Sequence, residues 1–283
     1  MKRILVLVAF IAAMPLTAQV ADGDAHWAKR GEGSQAGRAK SPEVDAAIGA
    51  YQKAVAANAN DLDAQWKLLR AIRFKGAYVA ASNDDKKVVY SQAKKAGDNA
   101  LAAVDKQLRA KGITSVAKAT EKQVADAARQ IAGAGEIFFW DSVNWGEWAL
   151  VYGKLAAVKE GAADRIKRES TIAMLVDAKM EAGGPARVLG RLHDQTPHVP
   201  FITGWASNKE AVKYLNESLK IDPANKITKV FLAEAMVDSD SDTKPAAVQM
   251  LRDVVNAPNA ADFEVEWAAA TNDARALLRK WGK

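Results

Sequence analysis

From about Pro42 to the C-terminus, apolar residues recur three and four positions apart, the spacing that gathers them on one face of an α-helix. Ala, Leu, Lys, Glu and Gln dominate, and no run of alternating β-branched residues signals a strand. Turn residues end the periodic segments at Asn60-Asp61, Ser82-Asn83-Asp84, Lys111-Gly112, Gly133-Ala134-Gly135, Gly183-Gly184-Pro185, Asp222-Pro223 and Ala257-Pro258-Asn259. Starts are marked too. Ser41-Pro42 supplies a helix cap followed by a proline pre-set for the first turn, and Thr120 with Gln123 and Ser207 with Glu210 fit the capping box. These signals divide residues 42–283 into about eleven helices of one all-α domain. The long irregular stretch Thr196 to Ala206, with Pro197, Pro200 and Gly204, reads as an ordered surface loop.

The helices also repeat. A tetratricopeptide unit needs a small residue where its second helix crosses the first, then a large apolar residue, another small residue and a terminating proline. Ala211, Leu215, Ser218 and Pro223 satisfy that spacing. Ala247, Leu251 and Val254 restate it 36 residues later with Pro258 one position early, and Ala47, Tyr51 and Ala54 restate it without the proline. Lys226 to Val237, carrying Leu232-Ala233 and Met236, fits the first helix of a unit. The expected architecture is therefore a tetratricopeptide-like helical bundle or superhelix.

The N-terminus changes the picture of where the chain works. Lys2 and Arg3 precede an uncharged apolar run, Ile4 to Met14, and Leu16-Thr17-Ala18 ends in the small residue that signal peptidase requires. Residues 1–18 read as a signal peptide cleaved after Ala18, and residues 19–41, rich in Gly, Ala, Ser and charge, as a flexible leader with only Trp27 to bury. The chain has no Cys, hence no acceptor for a lipid anchor and no disulfide. A soluble periplasmic or secreted protein is expected. The formal charge of +6 is spread over helix faces without interleaved aromatics, which argues against nucleic acid as a partner.

Four stretches carry a family resemblance. They are Asp61 to Ala71 with Trp66, Trp140 to Ala149 followed by Gly153, Gly183 to Leu192 followed by a proline loop, and Ala211 to Pro223 with Leu232-Ala233-Glu234 and the terminal Asn272 to Leu278. In that order they resemble the T component family of tripartite ATP-independent periplasmic (TRAP) transporters, which are tetratricopeptide-like helical proteins. The resemblance implies a periplasmic solute-binding protein as partner and a role with an apolar ligand.

Chemistry-bearing residues are weighed against that frame. Phe138, Trp145, Trp148 and Tyr152 share one helix face, with Phe139 and Trp140 on its flanks. Such an arc fills a core or lines an apolar groove, and Gly146 and Ala149 would admit a close neighbour. The candidate groove residues are Trp140, Trp145, Trp148, Tyr152 and Arg187. Arg187 and Arg191 share a helix face, with Glu181 or Asp194 as carboxylate partners. Gly183-Gly184-Pro185 lacks the Lys-Ser/Thr of a phosphate loop and reads as a tight turn. His193 and His198 are poorly spaced for a metal, and Asp238, Asp240 and Asp242 lack the glycine and distal glutamate of a calcium loop. No catalytic residue, metal or cofactor is expected. The reading is a helical-repeat binding or assembly protein, not an enzyme. A stand-alone carrier of a small apolar molecule, a general interaction scaffold, and a homo-oligomer stay open.

Overall fold

The computed structural model describes residues 16–199 and 203–283. Residues 1–15, within the expected signal peptide, and Pro200, Phe201 and Ile202 of the expected proline loop lie outside the described residues. The described chain is all-α, without a strand. Its helices are α1 (Leu16–Ala28), α2 (Ser41–Ala57), α3 (Leu62–Phe74), α4 (Asn83–Ala110), α5 (Glu121–Ala128), α6 (Ala134–Tyr152), α7 (Lys154–Lys159), α8 (Ala162–Val176), α9 (Met180–Gln195), α10 (Asn208–Ile221), α11 (Lys226–Ser239), α12 (Lys244–Asn256) and α13 (Glu264–Lys280). A π-helical turn, Lys75–Val79, extends α3.

Each helix packs antiparallel-fashion on its neighbours in the chain, and a second set of contacts links α3 to α6, α6 to α9, α9 to α11 and α11 to α13. Those five form an inner layer; α2, α4, α8, α10 and α12 form the outer one. The repeat positions explain the layering. Ala47, Tyr51, Ala54, Ala211, Leu215, Ser218, Ala247 and Leu251 are all fully buried, and Val254 nearly so. At the α9–α10 crossing the backbones come so close that a Cβ on Gly190 would meet the Ala211 carbonyl oxygen at 3.1 Å and Leu215 Cγ at 2.5 Å. This is the two-layer stacking of a tetratricopeptide-like superhelix.

The leader is corrected. Residues Leu16–Ala28 form a helix packed on α2, because Val20, Gly23 and Trp27 fall on one face. Gly23 leaves room for the Tyr51 ring directly over its backbone, and Tyr51 Oη donates to Asp24 Oδ1 at 2.7 Å. The next segment, residues 29–40, is non-helical but tied down. Arg38 donates to Val79 O at 2.6 Å and Ala80 O at 2.9 Å, and Ala39 N to Tyr78 O at 3.0 Å. It also meets the far end of the chain. Arg30 pairs with Glu266 at 3.2 Å, Asn272 Nδ2 donates to Ala36 O at 2.8 Å, and buried Gly37 lies against the Ala269 backbone. The superhelix thus closes on itself.

Helix boundaries follow local chemistry, with three departures. The helix count exceeds the expected eleven by two, α1 and α7; α7 is only six residues between Gly153 and Gly161 and carries too little sequence to show a period. Lys40, not Ser41, is the N-cap of α2, and no side chain bonds there. Ser207 accepts from Glu210 N, but the reciprocal half of that capping box is not formed. Thr120 and Gln123 form theirs in full, as do Ser82 and Asp85.

The α9–α10 crossing supplies a test. Ala211→Leu should lower stability by about 1–3 kcal/mol in denaturant unfolding, because the crossing has no space for the added atoms. Ala246→Leu, on the exposed side of α12, should change it by less than about 0.5 kcal/mol. Equal effects would show that the crossing is not tightly packed.

Candidate functional site

α6 is apolar over most of its circumference, and it divides its aromatics between two cores. Phe138, Phe139 and Trp140 pack with Leu69, Val104, Leu108, Ile137 and Ile172. Trp145 and Trp148 pack with Val89, Tyr90 and Ile166 in another. Trp140, Trp145 and Trp148 are buried, whereas Tyr152 is 39 % exposed, stacks on Trp148 at 4.7 Å and shares a hydrogen bond with Ser91.

The expected groove is corrected along most of this face. Lys94 Nζ from α4 lies 4.1 Å from the Trp145 ring and 3.9 Å from Trp148, and the Arg165 guanidinium from α8 lies 4.5 Å from Trp145. The indole faces are therefore occupied by cations held at their π-clouds. A Cβ at Gly146 would meet nothing within 4 Å, so no helix crosses there. The apolar concavity lies about two turns away along α6, at Phe138. Leu101, Val104, Val116, Phe138 and Ile172 line a cleft of about 430 Å³ whose rim carries Arg165, Arg168 and Glu169.

Beneath that rim sits an ionic centre the sequence did not reveal. Asp141 is fully buried on α6, and Arg165 Nη2 donates to its Oδ2 at 2.8 Å while Nε donates to Glu169 Oε1 at 3.0 Å. Arg165 also pairs with Asp98 of α4 at 3.0 Å. Gly97 is obligatory, since a Cβ there would fall inside the Asp141 carboxylate. Burial raises both carboxyl pKa values; for Glu169 the charge of Asp141 adds to it, and for Asp141 Arg165 opposes it. One guanidinium thus serves two desolvated carboxyls that hold a proton above the usual carboxylate range.

Arg187 stands apart from the aromatic face. It lies on the inner layer and donates to Glu181 O at 3.1 Å, Ala182 O at 3.3 Å and Thr228 Oγ1 at 3.3 Å. Its partner is the Glu181 backbone, not the carboxylate. Arg191 does find carboxylates, Asp194 at 2.9 Å and Glu234 at 2.5 Å. The Gly-Gly-Pro turn is more than a tight turn. Glu181, Ala182 and Gly183 all take left-handed backbone angles, with φ of 46°, 54° and 78°. Two of these are non-glycine residues in a region that is strained for them. Arg187 clamps that turn through the Glu181 and Ala182 carbonyls. Burial raises the Glu181 carboxyl pKa, countered by Arg70, Arg187 and Arg30, so these groups from α3, α9 and the 29–40 segment converge.

The remaining candidates resolve simply. His193 is buried, its Nδ1 accepts from Ser207 N at 3.3 Å, and its ring stacks on Tyr214. Asp238, Asp240 and Asp242 are exposed, and Asp240 caps the following turn. Among the described residues no group of three or more His, Asp or Glu is placed to hold a metal ion. Lys226, unremarked in the sequence, is buried with Nζ donating to Ala257 O, Asn259 Oδ1 and Thr271 Oγ1 at 2.7, 2.8 and 3.1 Å. It fastens the α12–α13 connection to α11.

No family model matches the chain, and no curated protein does. Among solved structures it is similar to yeast Tom70, at 12 % identity and a TM-score of 0.31 over 99 % of this chain and 68 % of that one.

Two measurements check the site. Trp145→Ala should cost about 3–5 kcal/mol in unfolding experiments, while half-exposed Tyr152→Ala should cost about 1 kcal/mol for its lost stacking; similar losses would erase the distinction. The second is pH. A carboxyl whose pKa rises on folding holds its proton in the folded state first, so its contribution is present at low pH and is lost as pH climbs from the unfolded value near 4.5. Glu169→Gln should therefore gain melting temperature relative to the parent between pH 5 and pH 8. A difference that stays constant with pH would mean that Glu169 is ionised throughout.

Proposed function

We propose that this protein is an exported helical-repeat binding protein that partners a TRAP-type solute-binding protein, and that it has no catalytic role. The observation that carries the reading is α7. None of its side chains is buried, and Leu155 and Val158 are 72 % and 59 % exposed. Glycines with positive φ, Gly153 and Gly161, bracket the short helix, which rests on the core through Ala156 and Ala157 and turns Leu155 and Val158 to solvent. Apolar side chains displayed on an otherwise packed repeat protein suit recognition of another protein. Lys154 and Lys159 flank them and suit an acidic rim on the partner. Export is consistent with the fold: cleavage after Ala18 would leave Gln19 at the start of the helix and keep the buried contacts of Val20, Gly23 and Trp27.

A second reading, carriage of an apolar molecule, is favoured by the cleft of about 430 Å³ lined by Leu101, Val104, Val116, Phe138 and Ile172. The two are separable. The protein captured from periplasmic extract should bring down a solute-binding protein, and the double variant Leu155→Asp with Val158→Asp should lose it without a change in melting temperature. Retention by the double variant would remove α7 from the interface. A change only in self-association would make the partner a second copy of this chain.

A further inference from the structure

On the export reading, cleavage after Ala18 makes Gln19 the first residue of the mature chain. Packing favours that bond over one after Ala21, the next small residue. Cutting after Ala21 would strip off Val20, which is 9 % exposed in the core that α1 shares with α2. Cutting after Ala18 leaves Val20, Gly23 and Trp27 in place, so the new terminus is the start of a seated helix and not a loose tail.

An N-terminal glutamine carries a nucleophile and an electrophile on one residue. Its unprotonated α-amine nitrogen attacks its own side-chain Cδ and closes a five-membered lactam as the Cδ–Nε2 bond breaks. Nε2 leaves as ammonia with the proton that the amine gives up, so no oxidant or co-reactant is needed. Three features of this helix start suit the ring. Gln19 Oε1 accepts no hydrogen bond among the described residues, so closure breaks none there. The open form places an ammonium at the N-terminal end of α1, where the helix dipole disfavours positive charge. Asp22, the acid of that turn, has a side chain 60 % exposed and lies 3.9 Å from His26. The lactam is neutral, and it has the outline of a proline ring, which the first helical position accepts because no preceding turn is there to clash.

We propose, resting on the export reading, that Gln19 is a modification site converted to pyroglutamate, so that the mature chain begins with a neutral, blocked residue. What the ring protects is α1. Exopeptidase removal of Gln19 and then Val20 would take away the first contact that seats the helix. Behind it lie the Tyr51–Asp24 bond at 2.7 Å and the Asp24–Lys67 pair at 2.8 Å, which tie α1 to α2 and α3. A lactam offers an aminopeptidase no free α-amine to engage. Cyclisation is independent of the partner surface on α7, at a different place in the chain.

The test compares two preparations. The full chain is exported in a Gram-negative host, and its periplasmic form is weighed intact by mass spectrometry. The open reference is residues 19–283, freshly released from an N-terminal fusion by a protease that leaves Gln19 first. The exported protein should weigh one ammonia less than the reference, resist Edman sequencing and leave a cation exchanger earlier, having one positive charge fewer. Exported Gln19→Ala should show no such loss. The cyclised form should melt no lower than the open reference and survive aminopeptidase longer. An exported chain that begins at Gln19 with its full mass would overturn the proposal and leave the export reading standing. An exported chain that begins at any other residue would overturn the cleavage site and the proposal together. A lower melting temperature for the cyclised form would show that the helix start does not accept the ring, and would overturn the proposal alone.

Discussion

Everything on the inner layer depends on the junction between the chain's two ends. A superhelix of antiparallel helices leaves its first and last turns unpaired, and terminal faces usually need polar caps. Here they cap one another. The Arg30–Glu266 pair, whose side chains are 15 % and 12 % exposed, is sheltered enough for its attraction to be little screened. It is accompanied by the Asn272–Ala36 bond and by the fit of Gly37, at φ 77°, against the Ala269 backbone. Gly37 is needed twice over, for its backbone angle and for the missing side chain. With that junction made, side chains from α1, α3, α9 and α13 are brought together in a shared, desolvated interior.

α6 plays the complementary part between the layers. A helix apolar on nearly every side must be surrounded, yet this one carries Asp141, Ser142 and Asn144 fully buried. Each finds a partner, while Oδ1 of Asp141 and Oδ1 of Asn144 are left without one. Ser142 donates to Phe139 O at 2.7 Å, Asn144 Nδ2 reaches Leu69 O at 3.1 Å, and Asp141 draws in Arg165. The same Arg165 lies over Trp145, with Lys94 also on that indole. One cation therefore balances a buried carboxylate and covers an aromatic ring, which couples α4, α6 and α8 through charge as well as apolar contact. That arrangement turns an aromatic face that could have lined a groove into the middle of the fold, and it moves the open apolar surface to the neighbouring cleft.

The two buried arginine environments make an instructive contrast. Arg187 has its N–H groups met by carbonyls of a strained turn, so its charge stabilises backbone geometry; burial lowers its pKa to about 10. Arg70 has its faces met by indoles and its buried Nε left open. The first is a clamp, and the second is held between the indoles with Tyr51 and Glu181 close enough to act on its charge. Glu181, between them, is positioned by a backbone that only the clamp makes tenable.

What the sequence alone determined was the helical class, the turns and the crossings. Period-3.6 patterning and small residues at Ala47, Ala211 and Ala247 are local statements, true of any chain that buries those faces. Trp145 and Trp148 were legible as one apolar helix face, which the sequence left open between core and groove. The fate of α1 was not. Val20, Gly23 and Trp27 are too few among Gly, Asp and Lys to signal a helix, and only α2 and Phe74 give them something to bury against. Nor could spacing show that Lys94 and Arg165 would cover the aromatic face, since each is 50 or more residues from Trp145 or on another helix. Arg70 and Glu181 are separated by 111 positions, and each looks like an ordinary solvated charge in its own helix. Their meeting is decided by ring closure and by three left-handed residues, because long-range electrostatics acts on distances that exist only once the chain has folded.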